Sequence, residues 1–144
     1  MHVDGVLRMK GSDVVTIGPD ATLLEAAQLL HRHRIGAVVV SGQAGAIDGI
    51  LSERDVVRAV AETGADALRD PVRSVMSAEV VRCAPTDTID QLMSAMTQRR
   101  IRHLPVVDGG ALVGIVSIGD VVKRRLAEVQ DETQALQDYI TQGR

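Results

Sequence analysis

The chain writes one segment twice. Across residues 4–62 and 70–127, Val14-Val15, Pro19, Thr22, Arg34-Ile35 and Val40 return 66 residues later as Val80-Val81, Pro85, Thr88, Arg100-Ile101 and Val106. After a one-residue gap the spacing becomes 65. Gly49-Ile50-Leu51-Ser52-x-x-Asp55-Val56-Val57 then returns as Gly114-Ile115-Val116-Ser117-x-x-Asp120-Val121-Val122. A unit this short buries a poor core alone, so the two copies are expected to close on each other. Two related halves also imply two related clefts, lined by the best-matched polar residues.

What fills the core follows from what is missing. Apolar residues make up 45% of the 144, but aromatics only 1%, with no Trp or Phe and a single Tyr139. The core must be Val, Ile, Leu, Ala and Met. The aromatic platforms that stack single-stranded or splayed bases are absent, and a net charge of −3 does not favour a polyanion-binding surface. Nucleic acid is therefore not expected as a partner. Cys83 is the only cysteine, which leaves no internal disulfide or cysteine-based zinc site and fits a reducing cytosol. Met1-His2-Val3-Asp4 lacks the basic then apolar run of a signal peptide. No apolar stretch approaches the roughly 18 residues of a membrane helix. The expected location is cytoplasmic.

Each copy reads the same way. A lead-in (Val6–Met9, and Val72–Met76) precedes a short strand, Val14–Ile17 or Val80–Cys83. Thr22 with Glu25, and Thr88 with Gln91, have the spacing of a helix N-terminal capping box. Leu23, Ala26, Ala27 and Leu30 then form one apolar face, and Ile89, Leu92, Met93 and Met96 the other. Basic residues end both helices (His31-Arg32-His33-Arg34 and Arg99-Arg100), where cations complement the helix C-terminus. Ala37–Val40 with Ala46–Leu51, and Leu104–Val107 with Leu112–Val116, read as hairpins. A second helix starts at Ser52 or Ser117. Residues 63–69 read as a linker. Beyond Asp120, the stripe Val122, Leu126, Val129, Thr133, Leu136, Ile140 steps by 4 and 3, a heptad pattern that serves packing on its own module or pairing with a second chain.

Gly-h-h-Ser-x-x-Asp, where h is apolar, occurs in both copies and has two readings. As structure, Ser caps the helix and Asp sits in its first turn, where the dipole favours it. As a site, the same turn presents a hydroxyl and a carboxylate whose two oxygens suit the paired hydroxyls of a ribose, and the glycine leaves room for a ligand at the backbone. Arg102 and His103 are either solvated residues at a strand end or phosphate contacts in the groove between copies, with His103 partly protonated by its anionic partner. Arg54 and Lys10 are further phosphate candidates. Copy one has Gly36 and Ala37 where copy two has Arg102 and His103, so the two sites should be unequal. There is no phosphate-loop, nucleophile-elbow or His-Glu-x-x-His motif, and no metal-ligand spacing among the histidines.

In order and in duplicate, Pro-x-x-Thr, Arg-Ile-x-x-h-x-Val and Gly-Ile-h-Ser-x-x-Asp-Val-Val resemble a tandem pair of CBS (cystathionine β-synthase) domains, a Bateman module. Arg34–Val40, Gly49–Val57 and Arg102–Val107 are similar to small stand-alone bacterial CBS-pair proteins. The resemblance covers roughly residues 4–127. It implies an α+β fold of two pseudo-symmetric strand–helix–strand–strand–helix repeats, at 4–62 and 70–127, to which the heptad stripe adds a C-terminal helical extension at 128–144. It also implies a non-enzymatic regulatory module that binds an adenine nucleotide in clefts between the paired domains. AMP comes first among the expected ligands; ADP, ATP, NAD(H) and S-adenosylmethionine are the others, with no metal. One site would use Ile50, Ser52 and Asp55 with Val80, Val81, Arg102, His103 and Pro105. The other would use Ile115, Ser117 and Asp120 with Lys10, Val14, Val15, Ile35, Gly36 and Ala37. Arg102-His103 resembles, in reversed order, the His-Arg pair that meets phosphate in the kinase-regulatory gamma subunit. A homodimer paired through helices, and an unidentified regulated protein, are the partners that the resemblance implies. The competing class is a structural or adaptor dimer in which Ser-x-x-Asp only caps helices.

Overall fold

The computed structural model describes residues 2–11, 13–43 and 46–142. Helix α1 spans Val3–Lys10. The first repeat follows as β1 (Thr16–Ile17), α2 (Leu23–His33), β2 (Ala37–Val40), β3 (Gly49–Ser52) and α3 (Glu53–Thr63). Two 3-10 turns, Gly64–Arg69 and Val72–Ser74, lead to α4 (Ile89–Arg99), β4 (His103–Asp108), β5 (Ala111–Ser117) and α5 (Ile118–Gln142).

The helix starts are set locally. Thr22 Oγ1 accepts from Glu25 N at 3.1 Å. Thr88 and Gln91 form a complete reciprocal capping box, as do Ser52 and Asp55. Leu23, Ala26 and Leu30 of α2 are buried, as are Ile89, Leu92 and Met96 of α4. Met93, expected on the inner face, is exposed. Both helices end on an arginine in the left-handed region, Arg34 and Arg100, each at φ 54°. That conformation is uncommon outside glycine, and it recurs at equivalent places in the two copies.

The hairpins carry the sheets. In the first, β2 pairs antiparallel with β3 and parallel with β1. In the second, β4 pairs antiparallel with β5. The leading strands are shorter than the sequence pattern implies. Only Thr16 and Ile17 of the first belong to β1, and the second shrinks to one parallel bridge between Cys83 and Val106. A short edge segment needs no more than the two bonds Cys83 makes, N to Pro105 O at 3.0 Å and O from Val107 N at 2.8 Å.

The sequence repeats are not the packed units, because the lead-in segments are exchanged. Val3 and Val6 of α1 lie in the core of the second copy, with Leu92, Leu104, Val106 and Val116. Val72, in the lead-in of the second copy, lies in the core of the first, with Leu23, Val38, Val40 and Leu51. Backbone bonds seal both exchanges: Val3 N to Asp87 O (2.9 Å), Val72 N to Ala21 O (2.8 Å), and a reciprocal pair between Ile50 and Ser77 (both 3.0 Å). The linker at 63–69 is likewise built in, as a 3-10 helix that buries Ala67. The boundaries 4–62 and 70–127 therefore describe repeats of sequence, whereas each core borrows its partner's first segment.

The exchange also explains the repeated glycine at the head of β3 and within β5. A Cβ on Gly49 would come 2.6 Å from Met76 Sδ and 2.7 Å from Ser77 O. On Gly114 it would come 2.5 Å from Leu7 Cδ2. The space that the sequence pattern offered to a ligand is taken by the exchanged lead-ins.

The heptad stripe of α5 is exposed at Val122, Leu126, Val129, Leu136 and Ile140, alongside Tyr139. Gly143 and Arg144, the end of the expected extension, lie outside the described residues. Among the described residues, no helix is long and apolar enough to cross a membrane.

Candidate functional site

The turn from β3 into α3 fixes the central carboxylate. Asp55 Oδ2 accepts from Ser52 N (2.8 Å) and Ser52 Oγ (3.1 Å), and Oδ1 accepts from Arg58 at 2.5 Å. Asp55 is 7% exposed and is the only buried charged residue among those described. A buried carboxylate needs partners, and three donors supply them. The cap and the site are thus one arrangement: the hydrogen bonds that start α3 also aim a carboxylate with remaining acceptor capacity.

This carboxylate faces a cleft of about 260 Å³ that draws on both copies. Ile50, Ser52, Arg54 and Asp55 come from the first copy, and Arg102 and His103 from the second. Gly36 and Ala37, which the resemblance places in the other site, line this one. Their place follows from the central position of His103: a Cβ on Gly36 would come 3.1 Å from His103 Nε2. Three other expected residues lie outside the lining. Val81 packs on the second core, Pro105 is buried in β4, and Val80 is half-buried. Glu53, Arg58, Ser77, Arg100 and Ile101 also line the cleft and were missed from the sequence. Arg58 stands one helical turn after Asp55, a signal that helix spacing offered. Ser77 reaches the cleft only through the exchanged lead-in, which no local pattern announces.

The second carboxylate is held differently. Asp120 Oδ2 accepts from Ser117 N at 2.9 Å, as its counterpart does, but its cation is Lys10 of α1. Lys10 Nζ donates to Asp120 Oδ2 at 2.7 Å and to Ile115 O at 2.8 Å. A separate cavity of about 270 Å³ is lined by Val6, Met9, Lys10, Asp120 and Lys123. Of the other residues expected here, Val15 and Ile35 pack on the first core and Val14 is half-buried.

Electrostatics separate the ionisable groups. Burial pushes the Asp120 carboxyl up, but the Lys10 and Ser117 hydrogen bonds outweigh it and hold the group below its ordinary 3.8. His103 is held below its ordinary 6.5, first by burial and then by the Lys10 charge, against the carboxylates of Glu53 and Asp120. The neutral ring is therefore favoured in the ligand-free chain; the partial protonation expected from the sequence was tied to an anionic phosphate partner. Burial, aided by Asp87, pushes the Cys83 thiol up to about 12, so it is an unreactive core group. Among the described residues, no group of His, Cys, Asp and Glu has the arrangement of a metal site.

Comparison with known proteins agrees with this architecture. The CBS domain family matches residues 8–62 and 72–127. The CBS domain-containing protein YhcV of Bacillus subtilis is 37% identical over 116 residues, covering 81% of each chain. The crystal structure of the CBS-domain containing protein ATU1752 from Agrobacterium tumefaciens superposes with a TM-score of 0.84 at 53% identity, covering 87% of this chain and 99% of that one. The CBS domain protein PAE2072 from Pyrobaculum aerophilum, solved in complex with AMP, gives a TM-score of 0.74 at 28% identity, covering 83% of this chain and 89% of its own. A doubled strand–helix–hairpin–helix unit, two interlocked cores and these matches over both copies place the chain in the CBS-domain family, as a tandem CBS pair.

Proposed function

We propose that this module senses an adenine nucleotide and performs no chemistry on it. The observation that carries the reading is Asp55: a buried carboxylate, fixed by Ser52, that opens onto a cleft drawing residues from both copies. Its acceptor oxygens suit a ribose diol, Ile50 and Ile101 offer apolar walls to a purine, and the lining arginines offer partners to phosphates. The AMP complex of the PAE2072 relative supports an adenosine ligand. A ligand that spans both copies binds the closed arrangement better than an open one, and that difference in affinity is what any signal requires.

The exposed stripe of α5 supports a second element, a homodimer or a regulated partner held by helices. Sedimentation of the full chain against a chain ending at residue 127 tests it. An unchanged oligomeric state and unchanged partner capture would remove the helix from the account.

The ligand reading is tested by thermal unfolding of nucleotide-stripped protein with AMP, ADP, ATP, NAD, NADH and S-adenosylmethionine, with GMP as the control. A ligand at about 100 times its Kd adds about 2.7 kcal/mol per site, a shift of several degrees. The shift should vanish in Asp55→Asn, whose own melting point is recorded without ligand. No shift with any adenine ligand would favour the adaptor reading. Turnover of ATP or NAD would overturn the non-enzymatic one.

A further inference from the structure

The first cleft carries four arginines against two carboxylates, a larger cationic excess than its pseudo-equivalent, where Lys10 and Lys123 face Asp120. The lining carries Arg54, Arg58, Arg100 and Arg102 against the carboxylates of Glu53 and Asp55. Arg58 is spent on Asp55. Among the described residues, Arg54, Arg100 and Arg102 have no hydrogen-bonded or ion-paired side-chain partner. One exposed arginine without a partner is ordinary; three on one cleft, one from the start of α3 and two from the turn between α4 and β4, are not. The other copy carries Gly119 where the first has Arg54, and Gly36 and Ala37 stand opposite Arg102 and His103 in the repeat. Lys10 is already bound to Asp120 and to Ile115 O there.

We propose that the first cleft is selective for adenine nucleotides with two or more phosphates, and that the chain binds one such nucleotide tightly, not two. This rests on the nucleotide-binding reading above. The cationic excess disfavours a ligand with a positively charged tail and leaves a neutral nucleoside without its main partners. A single terminal phosphate carries about −1.5 to −2, which leaves part of the guanidinium set unmatched, and a longer tail engages the rest. The forked, always-charged guanidinium suits phosphate oxygens.

Calorimetric titration of the nucleotide-stripped chain with ATP, ADP, AMP, adenosine and S-adenosylmethionine tests this, repeated in Arg102→Gln and Arg54→Gln. ADP and ATP should bind about tenfold tighter than AMP, and adenosine and S-adenosylmethionine about 100-fold weaker than ADP, with one tight site per chain. Each variant should weaken ADP about tenfold or more and leave adenosine unchanged. Both arginines are exposed, so the melting points of the free variants should match the parent. Adenosine or S-adenosylmethionine binding as tightly as ADP, or two equal sites per chain, would overturn the proposal while leaving the adenine-sensing reading in place. Binding of no adenine ligand would remove both.

Discussion

Ser52 and Asp55 cap α3 in the way that Ser117 and Asp120 cap α5, yet the cation on each carboxylate comes from a different place. Asp55 takes Arg58 from its own helix, one turn along. Asp120 takes Lys10 from α1, more than a hundred residues away in sequence. The first pair is local, and swinging Arg58 aside disturbs nothing else. The second ties an exchanged lead-in to the other half, so a ligand at Asp120 must compete with a tertiary contact. Equivalent backbones thus carry one carboxylate paired within its own helix and one paired across a tertiary contact.

The largest effects should come from the cores, which test whether the halves are interlocked. Leu23→Ala and Leu92→Ala each empty a fully buried position in one core and should each lose about 2–5 kcal/mol. Because each core contains the other copy's lead-in, calorimetry should show one transition moving down in both variants. Two separated transitions, with only one displaced, would break the comparison by making the halves independent.

Next come the glycines beneath the exchanged segments. Gly49→Ala sets a methyl against the Ser77 carbonyl as well as Met76, whereas Gly114→Ala meets only the end of the Leu7 side chain. Backbone yields less readily than a flexible side chain, so urea unfolding should show losses of about 3 and about 1 kcal/mol respectively. Equal losses would mean that the lead-ins are held alike.

The ion pairs should differ in the same sense but less. Lys10→Met leaves a partly buried carboxylate short of its partner and should lose about 1–2 kcal/mol. Arg58→Met removes a mostly exposed side chain and leaves both Ser52 donors on the buried Asp55, so it should lose less, about 1 kcal/mol or below.

The smallest effect is a pH dependence centred on His103. Its folded value lies below the ordinary 6.5, so the unfolded chain binds that proton more readily. Its contribution to stability is therefore present above 6.5 and is lost as pH falls below it. Melting points should drop more steeply on acidification in the parent than in His103→Gln. A phosphate ligand reverses the sign. It favours the protonated ring, so ADP affinity should rise as pH falls from about 7.5 to about 6, and the rise should flatten in the variant.

The repeat, the helix starts and the carboxylates were legible because each rests on short-range chemistry. Thr88 and Gln91 must stand three apart to cap each other, and Ser52 and Asp55 do the same. The lead-in exchange was not legible, because Val72 reads as the start of its own copy and becomes part of the other core only through long-range packing. That one event displaced several expectations. It put Ser77 in the cleft and turned Gly49 and Gly114 from ligand clearances into packing clearances; Lys10 stands beside Asp120 as expected, but as the carboxylate's own ion pair. The lowering of the His103 pKa was hidden for the same reason, since its burial and the Lys10 charge near it belong to the folded chain.

The most direct measurement is titration of ADP into nucleotide-stripped Asp55→Asn and Asp120→Asn side by side, with the melting point of each free variant as the control for folding. If the first cleft is the nucleotide site and the Lys10-bound carboxylate is not, Asp55→Asn loses tight binding and Asp120→Asn retains it within a few-fold. Equal losses in the two variants, or loss only in Asp120→Asn, would contradict the account.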